Sequence, residues 1–197
     1  MLQKPRSILD QYSVTARVDV HTRFASQFSS PSRALLRFAQ SFSREFPVLD
    51  AGCGFGRNAV ALAEQGLTVI CAERDGKRLA ELMRFAPTKR LCGALLPIRV
   101  ELAPAMWPFA PACFSAVVFV HYLDTSLFPS AHSSLVPGGH LYLETAGGQG
   151  GNYLELPQAG KLHALLAPRF RFDHYEERPV GPAGSNKRAV RLSAQKL

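Results

Sequence analysis

From Phe46 onward, short apolar runs alternate with stretches in which apolar residues return every three or four positions. These are the periods of buried strands and of helices lying on them. Phe46 to Leu49 predicts a strand that closes on Asp50, and Asn58 to Gln65 predicts a helix ended by Gly66, a glycine being the usual residue just past a last helical turn. Leu67 to Ala72 is apolar throughout, as a strand covered on both faces should be. It closes on Glu73, and Asp75 caps a helix running through Phe85. Pro97 to Leu102 predicts a third strand carrying Glu101, and Phe114 to Tyr122 is the clearest buried strand. Ser126 to Leu135 predicts a short helix, Pro137 to Gly139 a turn, and His140 to Glu144 a fifth strand. After a helix over Pro157 to Leu166, two alternating segments, Phe170 to Tyr175 and Ala189 to Ala194, flank the turn Gly181 to Asn186. No helix separates them, so they pair as antiparallel neighbours. The prediction is an α/β, doubly wound sheet of seven strands, the last antiparallel. Ahead of it, Ser30 and Pro31 predict the cap and first position of a helix. Its apolar stripe is Leu35, Leu36, Phe38 and Phe42, and the more polar segment Ile8 to Phe28 precedes it.

The chemistry concentrates in Val48 to Asn58, VLDAGCGFGRN. A strand that stops on an acid and turns through alternating glycines into a helix is a nucleotide-binding turn. The glycines admit a close ligand, and the new helix presents unpaired N–H groups beside it. The dinucleotide fingerprint G-x-G-x-x-G fails, because the sixth position counted from Gly52 is Arg57. The P-loop sequence G-K-[ST] is absent. An acid ahead of the glycines suits a cationic ligand better than a pyrophosphate.

The spacing D-x-G-x-G-x-G resembles motif I of the class I S-adenosylmethionine-dependent methyltransferases. The longer run GCGFGRNAVALAEQGLTV is most similar to the tellurite-resistance branch of that superfamily, and the likeness covers roughly residues 46 to 145. It implies a Rossmann-like methyltransferase sheet over 46–197, with 1–45 as a helical lid segment of the same unit. It implies S-adenosylmethionine as cofactor and S-adenosylhomocysteine as product. Gly52, Gly54 and Gly56 would touch the cofactor through their backbones, with Cys53 among them, and Asp50 would hold the ammonium end. Glu73, followed by Arg74, would accept the ribose hydroxyls. Glu101 would meet the adenine amino group, Leu102 the ring, and Val120 would line the pocket floor. His121 is the side chain at the end of the fourth strand able to take a proton near neutral pH, with Tyr122 beside it as a second catalytic candidate. Glu144 would face the acceptor, and the loop AGGQGGNY after it would close over the substrate. Relatives with a similar fourth strand often read Tyr-Leu-His where this chain ends on Asp124.

Composition narrows the partners. A chain of 197 residues, 47% hydrophobic and 19% charged, is an ordinary globular one. No run of 18 apolar residues occurs, so no membrane partner is expected. The start MLQKPRSILD has no apolar leader core. The four cysteines show neither metal nor disulfide spacing, which points to free thiols in a reducing cytoplasm and to no metal. The net charge of +8 sits at the ends: residues 1–44 hold seven Lys/Arg against two acids, 161–197 eight against three, and the middle eight against ten. No basic–aromatic interleaving accompanies it, so a solvated surface is preferred over a nucleic-acid footprint. The sequence lacks an N-P-P-Y tetrad, and no cysteine is placed for attack on a pyrimidine. The expected acceptor is therefore a small molecule and the expected assembly a monomer or homodimer. RNA or protein methylation through the basic ends is the alternative, and a non-catalytic cofactor-binding subunit is another.

Overall fold

The computed structural model of the chain describes residues 30–148, 155–182 and 187–197. Seven strands form one sheet: β1 (Val48–Ala51), β2 (Thr68–Glu73), β3 (Ala94–Arg99), β4 (Phe114–Val120), β5 (Leu135–Gly147), β6 (Phe170–Pro179) and β7 (Arg188–Lys196). Their order is β3-β2-β1-β4-β5-β7-β6. β1 to β5 run parallel, and β7 is antiparallel to both β5 and β6. This is the expected doubly wound sheet with its last strand antiparallel.

Side chains alternate between the faces of a strand, and both faces here are apolar. Leu49, Val117, Phe119, Leu141 and Leu143 build one core with α4 (Phe128–Ser134) and α5 (Lys161–Leu166). Val48, Val69, Val118, Val120 and Tyr142 build the other with α1 (Arg33–Phe38), α2 (Arg57–Glu64) and α3 (Gly76–Phe85). Each fully buried large apolar side chain contributes about 1.5–3 kcal/mol. That double cover is why β4 reads FSAVVFV, with all positions buried. The free thiols of Cys53 and Cys71 are buried in the second core.

Local signals placed some ends correctly. Asp75 accepts the Lys77 N–H at 2.9 Å and starts α3, which runs through Phe85 as expected. Past α2, the Gly66 N–H bonds to Ala63 and the Leu67 N–H to Leu62, the paired bonds of a glycine-terminated helix. Several boundaries differ, among them the predicted turn Pro137–Gly139, which lies inside β5 (Leu135–Gly147), and the helix expected from Pro157, which starts at Lys161. α1 is capped by Ser32, not Ser30, because the Ser32 hydroxyl takes the Leu35 N–H while its own N–H is held by Asn58 Oδ1 at 2.9 Å. β3 covers Ala94–Arg99 rather than Pro97–Leu102, since its register is set by β2, Thr68 opposite Ala94 through Glu73 opposite Arg99. It is an edge strand, where Pro97 is tolerated, and Glu101 and Leu102 lie beyond its end. β5 continues past Glu144 to Gly147 because β7 pairs with it as far as Arg188. β4 stops at Val120, which leaves His121 and Tyr122 in the connection that follows. Residues 1–29 of the lid segment, positions 149–154 of the glycine-rich loop and positions 183–186 of the last turn lie outside the described residues.

Candidate cofactor site and its neighbouring cavity

The glycine turn is fastened to the neighbouring strand: the N–H groups of Gly52 and Cys53 both donate to the Ala72 carbonyl, at 2.9 and 3.0 Å. Its three glycines do different work. A Cβ on Gly52 would stand 2.9 Å from Cγ of Tyr122, and one on Gly56 would stand 2.4 Å from Cδ1 of the buried Leu82. Gly56 thus lets α3 close onto the turn. Of the three, only a Cβ on Gly54, at φ +58°, would meet nothing within 4 Å among the described residues, so it is the glycine with open space above it.

Glu73 ends β2 and is 6% exposed. Its Oε2 accepts the Gly54 N–H at 3.0 Å and its Oε1 accepts the Asp75 N–H at 2.9 Å. A carboxylate offers about four acceptor positions. One is used on each oxygen, and one on each is left for a diol. Arg78 stands 3.9 Å from Glu73 and 3.5 Å from Asp75.

Asp50 is 2% exposed. Burial, opposed by the Ala59 N–H and by Arg57, raises its carboxyl from 3.8 to about 7. Its Oδ2 is buried without a hydrogen-bond partner among the described residues. An orphaned acidic oxygen of this kind fits a cationic group.

Gly52 and Glu73 border a cavity of about 390 Å³ at the carboxyl ends of β1, β2 and β4, a size that suits a cofactor. Of the expected site residues, Gly52, Glu73, Arg74, Glu101 and Leu102 line it, together with His121 and Tyr122. Asp50, Cys53, Gly54, Gly56 and Val120 are not among its lining residues. Cys53 instead turns into the core, where a hydrogen bond with Cys71 and then burial push its thiol far up. Arg74 and Glu101 are exposed and pair with each other across the rim at 3.5 Å. Asp124, also on the wall, caps the following turn by accepting the Ser126 N–H at 2.9 Å.

His121 has φ +54°, a left-handed conformation uncommon outside glycine. Its N–H is anchored on the Glu144 carbonyl at 2.8 Å, which extends the β4–β5 ladder by one rung before the chain turns. Burial, seconded by Arg57 and opposed by Glu144, lowers its pKa from 6.5, so its imidazole is neutral and able to accept a proton at pH 7. Tyr122 behaves oppositely. Its ring stacks on Phe119 and burial raises its phenol, so it stays protonated on the cavity wall.

His121 also lines a second cavity of about 160 Å³, bordered by Glu144, Glu176, Arg178 and Arg191. Glu144 accepts hydrogen bonds from Ser32 and, at 2.5 Å, from Tyr142. Burial works against its ionisation, but those bonds and Arg191 together hold it below 4.5. Ser32, Asn58, Tyr142 and Arg191 did not stand out along the chain, because their roles depend on which strands become neighbours. The one usable signal was Asn58, a polar residue that opens an otherwise apolar helix.

Among the described residues no helix is long and apolar enough to cross a membrane. No curated protein matches the chain in sequence. Residues 49–143 match the family described as a methyltransferase domain. A solved S-adenosylmethionine-dependent methyltransferase from Methanosarcina mazei superposes with a TM-score of 0.67 at 17% identity, covering 86% of this chain and 99% of that one. A putative methyltransferase from Bacillus halodurans gives 0.64 at 14%, with 83% and 97% covered. Geranyl diphosphate C-methyltransferase from Streptomyces coelicolor, solved with S-adenosylhomocysteine, gives 0.64 at 15%, with 83% and 80% covered. Residues 49–143 thus resemble a methyltransferase domain, and the sheet built on them has the fold of the S-adenosylmethionine-dependent methyltransferases.

Proposed function

We propose that the chain is an S-adenosylmethionine-dependent methyltransferase acting on a small-molecule acceptor, with the cofactor in the larger cavity. The observation that carries this reading is Glu73, a buried carboxylate on the cavity wall at the end of β2, with the buried Asp50 on the adjacent strand β1. Among the described residues, Glu73 has one free acceptor position on each oxygen, and Asp50 has an oxygen without a hydrogen-bond partner. The first suits a ribose diol and the second an ammonium. Leu102 and Tyr122 supply apolar wall for the adenine, and Glu101 an acceptor for its amino group. When bound, the sulfonium supplies an activated methyl group that needs no metal. The chain's own work is then to align the acceptor, which lowers a barrier by up to about 7–11 kcal/mol, and to take its proton. The bound cofactor would supply the methyl group and keep the electron pair of its carbon–sulfur bond on sulfur, leaving the chain to hold the acceptor in line. The neutral imidazole of His121, on the wall of the same cavity, would take the acceptor's proton. Within the superfamily, the run GCGFGRNAVALAEQGLTV supports kinship with the tellurite-resistance branch, against which Asp124 stands as a difference.

Calorimetry should show S-adenosylhomocysteine binding with micromolar-range affinity and NAD not binding. Binding of NAD alone would reject the reading. Gly54→Ala separates ligand contact from folding. The left-handed φ should cost about 1–2 kcal/mol of stability, whereas the methyl in the open space should weaken S-adenosylhomocysteine binding tenfold or more; unchanged affinity would remove Gly54 from the site.

Asp50 gives a pH signature. Its folded pKa is raised, so the stability this group carries is greatest at acidic pH. That stability is lost as pH rises from about 4 through 7. A cationic ligand favours the ionised form, so affinity should move the other way. S-adenosylhomocysteine should bind several-fold more tightly at pH 7.5 than at pH 6, with proton release at the lower pH. Asp50→Asn should flatten the profile and stabilise the protein at pH 8. A pH-independent wild-type affinity would separate Asp50 from the ligand.

A further inference from the structure

The smaller cavity meets the larger one at His121, the residue that lines both. One wall is a single cross-strand row: Glu144 of β5 lies opposite Arg191 of β7, which lies opposite Glu176 of β6. Paired residues share a face of the sheet, so the three charged side chains stand together. One step along the same face, Ala189 lies opposite Arg178.

The row is unevenly satisfied. Oε2 of Glu144 takes both the Ser32 hydroxyl and the Tyr142 phenol. Arg191 reaches only Oε1, at 3.3 Å, and reaches Glu176 at 3.4 Å. Both distances exceed the 2.7–2.9 Å typical of a tight guanidinium–carboxylate pair. Glu176 has a closer partner in Arg178, at 3.2 Å. A guanidinium carries five N–H donors, and Arg191 commits two of them loosely. Its Nε–H is buried with no acceptor among the described residues, a costly state for a cationic donor. Arg191 is therefore the surplus donor of the row, and a modest turn of its guanidinium would present Nε and one terminal nitrogen as a fork. That fork matches a carboxylate.

The volume sets the size of the guest. About 160 Å³ is well below the roughly 300–1,000 Å³ of drug-sized sites, room for a compact metabolite rather than a long chain. We propose that this cavity receives the methyl acceptor, and that the acceptor is a small carboxylate. Its carboxylate is gripped by Arg191, and its hydroxyl, thiol or amine is turned toward His121 and the larger cavity. This rests on the larger cavity holding the methyl donor.

The test uses the full chain saturated with S-adenosylhomocysteine. Binding of acetate, succinate and 4-hydroxybenzoate is read by saturation-transfer NMR, with phenol and inorganic phosphate as comparison arms. At least one carboxylate should bind, phenol and phosphate about tenfold more weakly or not at all. Arg191→Gln should weaken that carboxylate about tenfold or more while S-adenosylhomocysteine affinity stays within about twofold. Ala189→Phe fills the cavity from β7 without altering a charged side chain, and should abolish carboxylate binding in a protein that still binds S-adenosylhomocysteine. No carboxylate binding, equal binding of phenol or phosphate, or unchanged binding in the variants would overturn the proposal with the donor site intact. Failure of S-adenosylhomocysteine to bind the unsubstituted protein would overturn the donor reading as well.

Discussion

Replacing Glu73 with alanine should weaken S-adenosylhomocysteine binding by about a hundredfold or more and lower the melting temperature at the same time. The two effects have separate origins. Hydrogen bonds to a charged carboxylate contribute about 1.5–3 kcal/mol each, so losing two to a ribose diol removes about 3–6 kcal/mol of binding. The stability loss comes from the chain's own donors. The Gly54 and Asp75 N–H groups both end on this carboxylate, and without it the glycine turn and the start of α3 lose their common tie. Arg78 adds little, being half exposed and 3.9 Å away. Glu73→Gln keeps one carbonyl acceptor and the shape, so it should restore most of the stability but only part of the affinity. Calorimetry and thermal unfolding on the two variants distinguish the roles. If alanine lowers the melting temperature and leaves affinity unchanged, Glu73 is a strut and the ribose lies elsewhere.

The largest stability effect should come from Gly93→Ala, far from any ligand. A Cβ at this position would lie 2.1 Å from the Leu67 carbonyl oxygen and 2.6 Å from its carbon. Both are backbone atoms that no rotamer change can move aside. The Gly93 N–H is bonded to Ala63 at 2.8 Å, and the Ala94 N–H to Leu67 at 3.3 Å, so the start of β3 is pressed onto the end of α2. To admit one methyl group, β3 must lift from β2. We expect a loss of about 3 kcal/mol, at the upper end for an overpacked site, or roughly 6–12 °C for a chain of this size. Thermal unfolding reads it directly, and a drop under 2 °C would show that β3 is not seated as described. Val100 and Leu102 follow β3 into the wall of the larger cavity, so the variant should also bind S-adenosylhomocysteine more weakly.

How far each feature could be read from the chain follows from the range of the forces involved. β1, β2 and β4 announced themselves because strands buried on both faces must be apolar at every position. Asp75 and Gly66 announced helix ends because capping is settled within four residues. Ser32 did not, since its advantage over Ser30 is a bond to Asn58, 26 positions along the chain. β3 was displaced because an edge strand is half solvated and carries a weak pattern; its extent comes from β2. The three glycines looked equivalent, yet one faces Tyr122, one Leu82 and one open space.

By itself, the sequence determined the alternation of strand and helix, the antiparallel last strand, and the acids at the ends of β1 and β2, Asp50 next to last and Glu73 last. All of these are local consequences of burial period, turn residues and capping. Tertiary structure alone decided that Arg191 stands between Glu144 and Glu176, that His121 borders two cavities, and that Asp50 keeps an oxygen unpartnered among the described residues. Each of these depends on which distant strands become neighbours, and one residue's slip in register would move every such side chain to the opposite face.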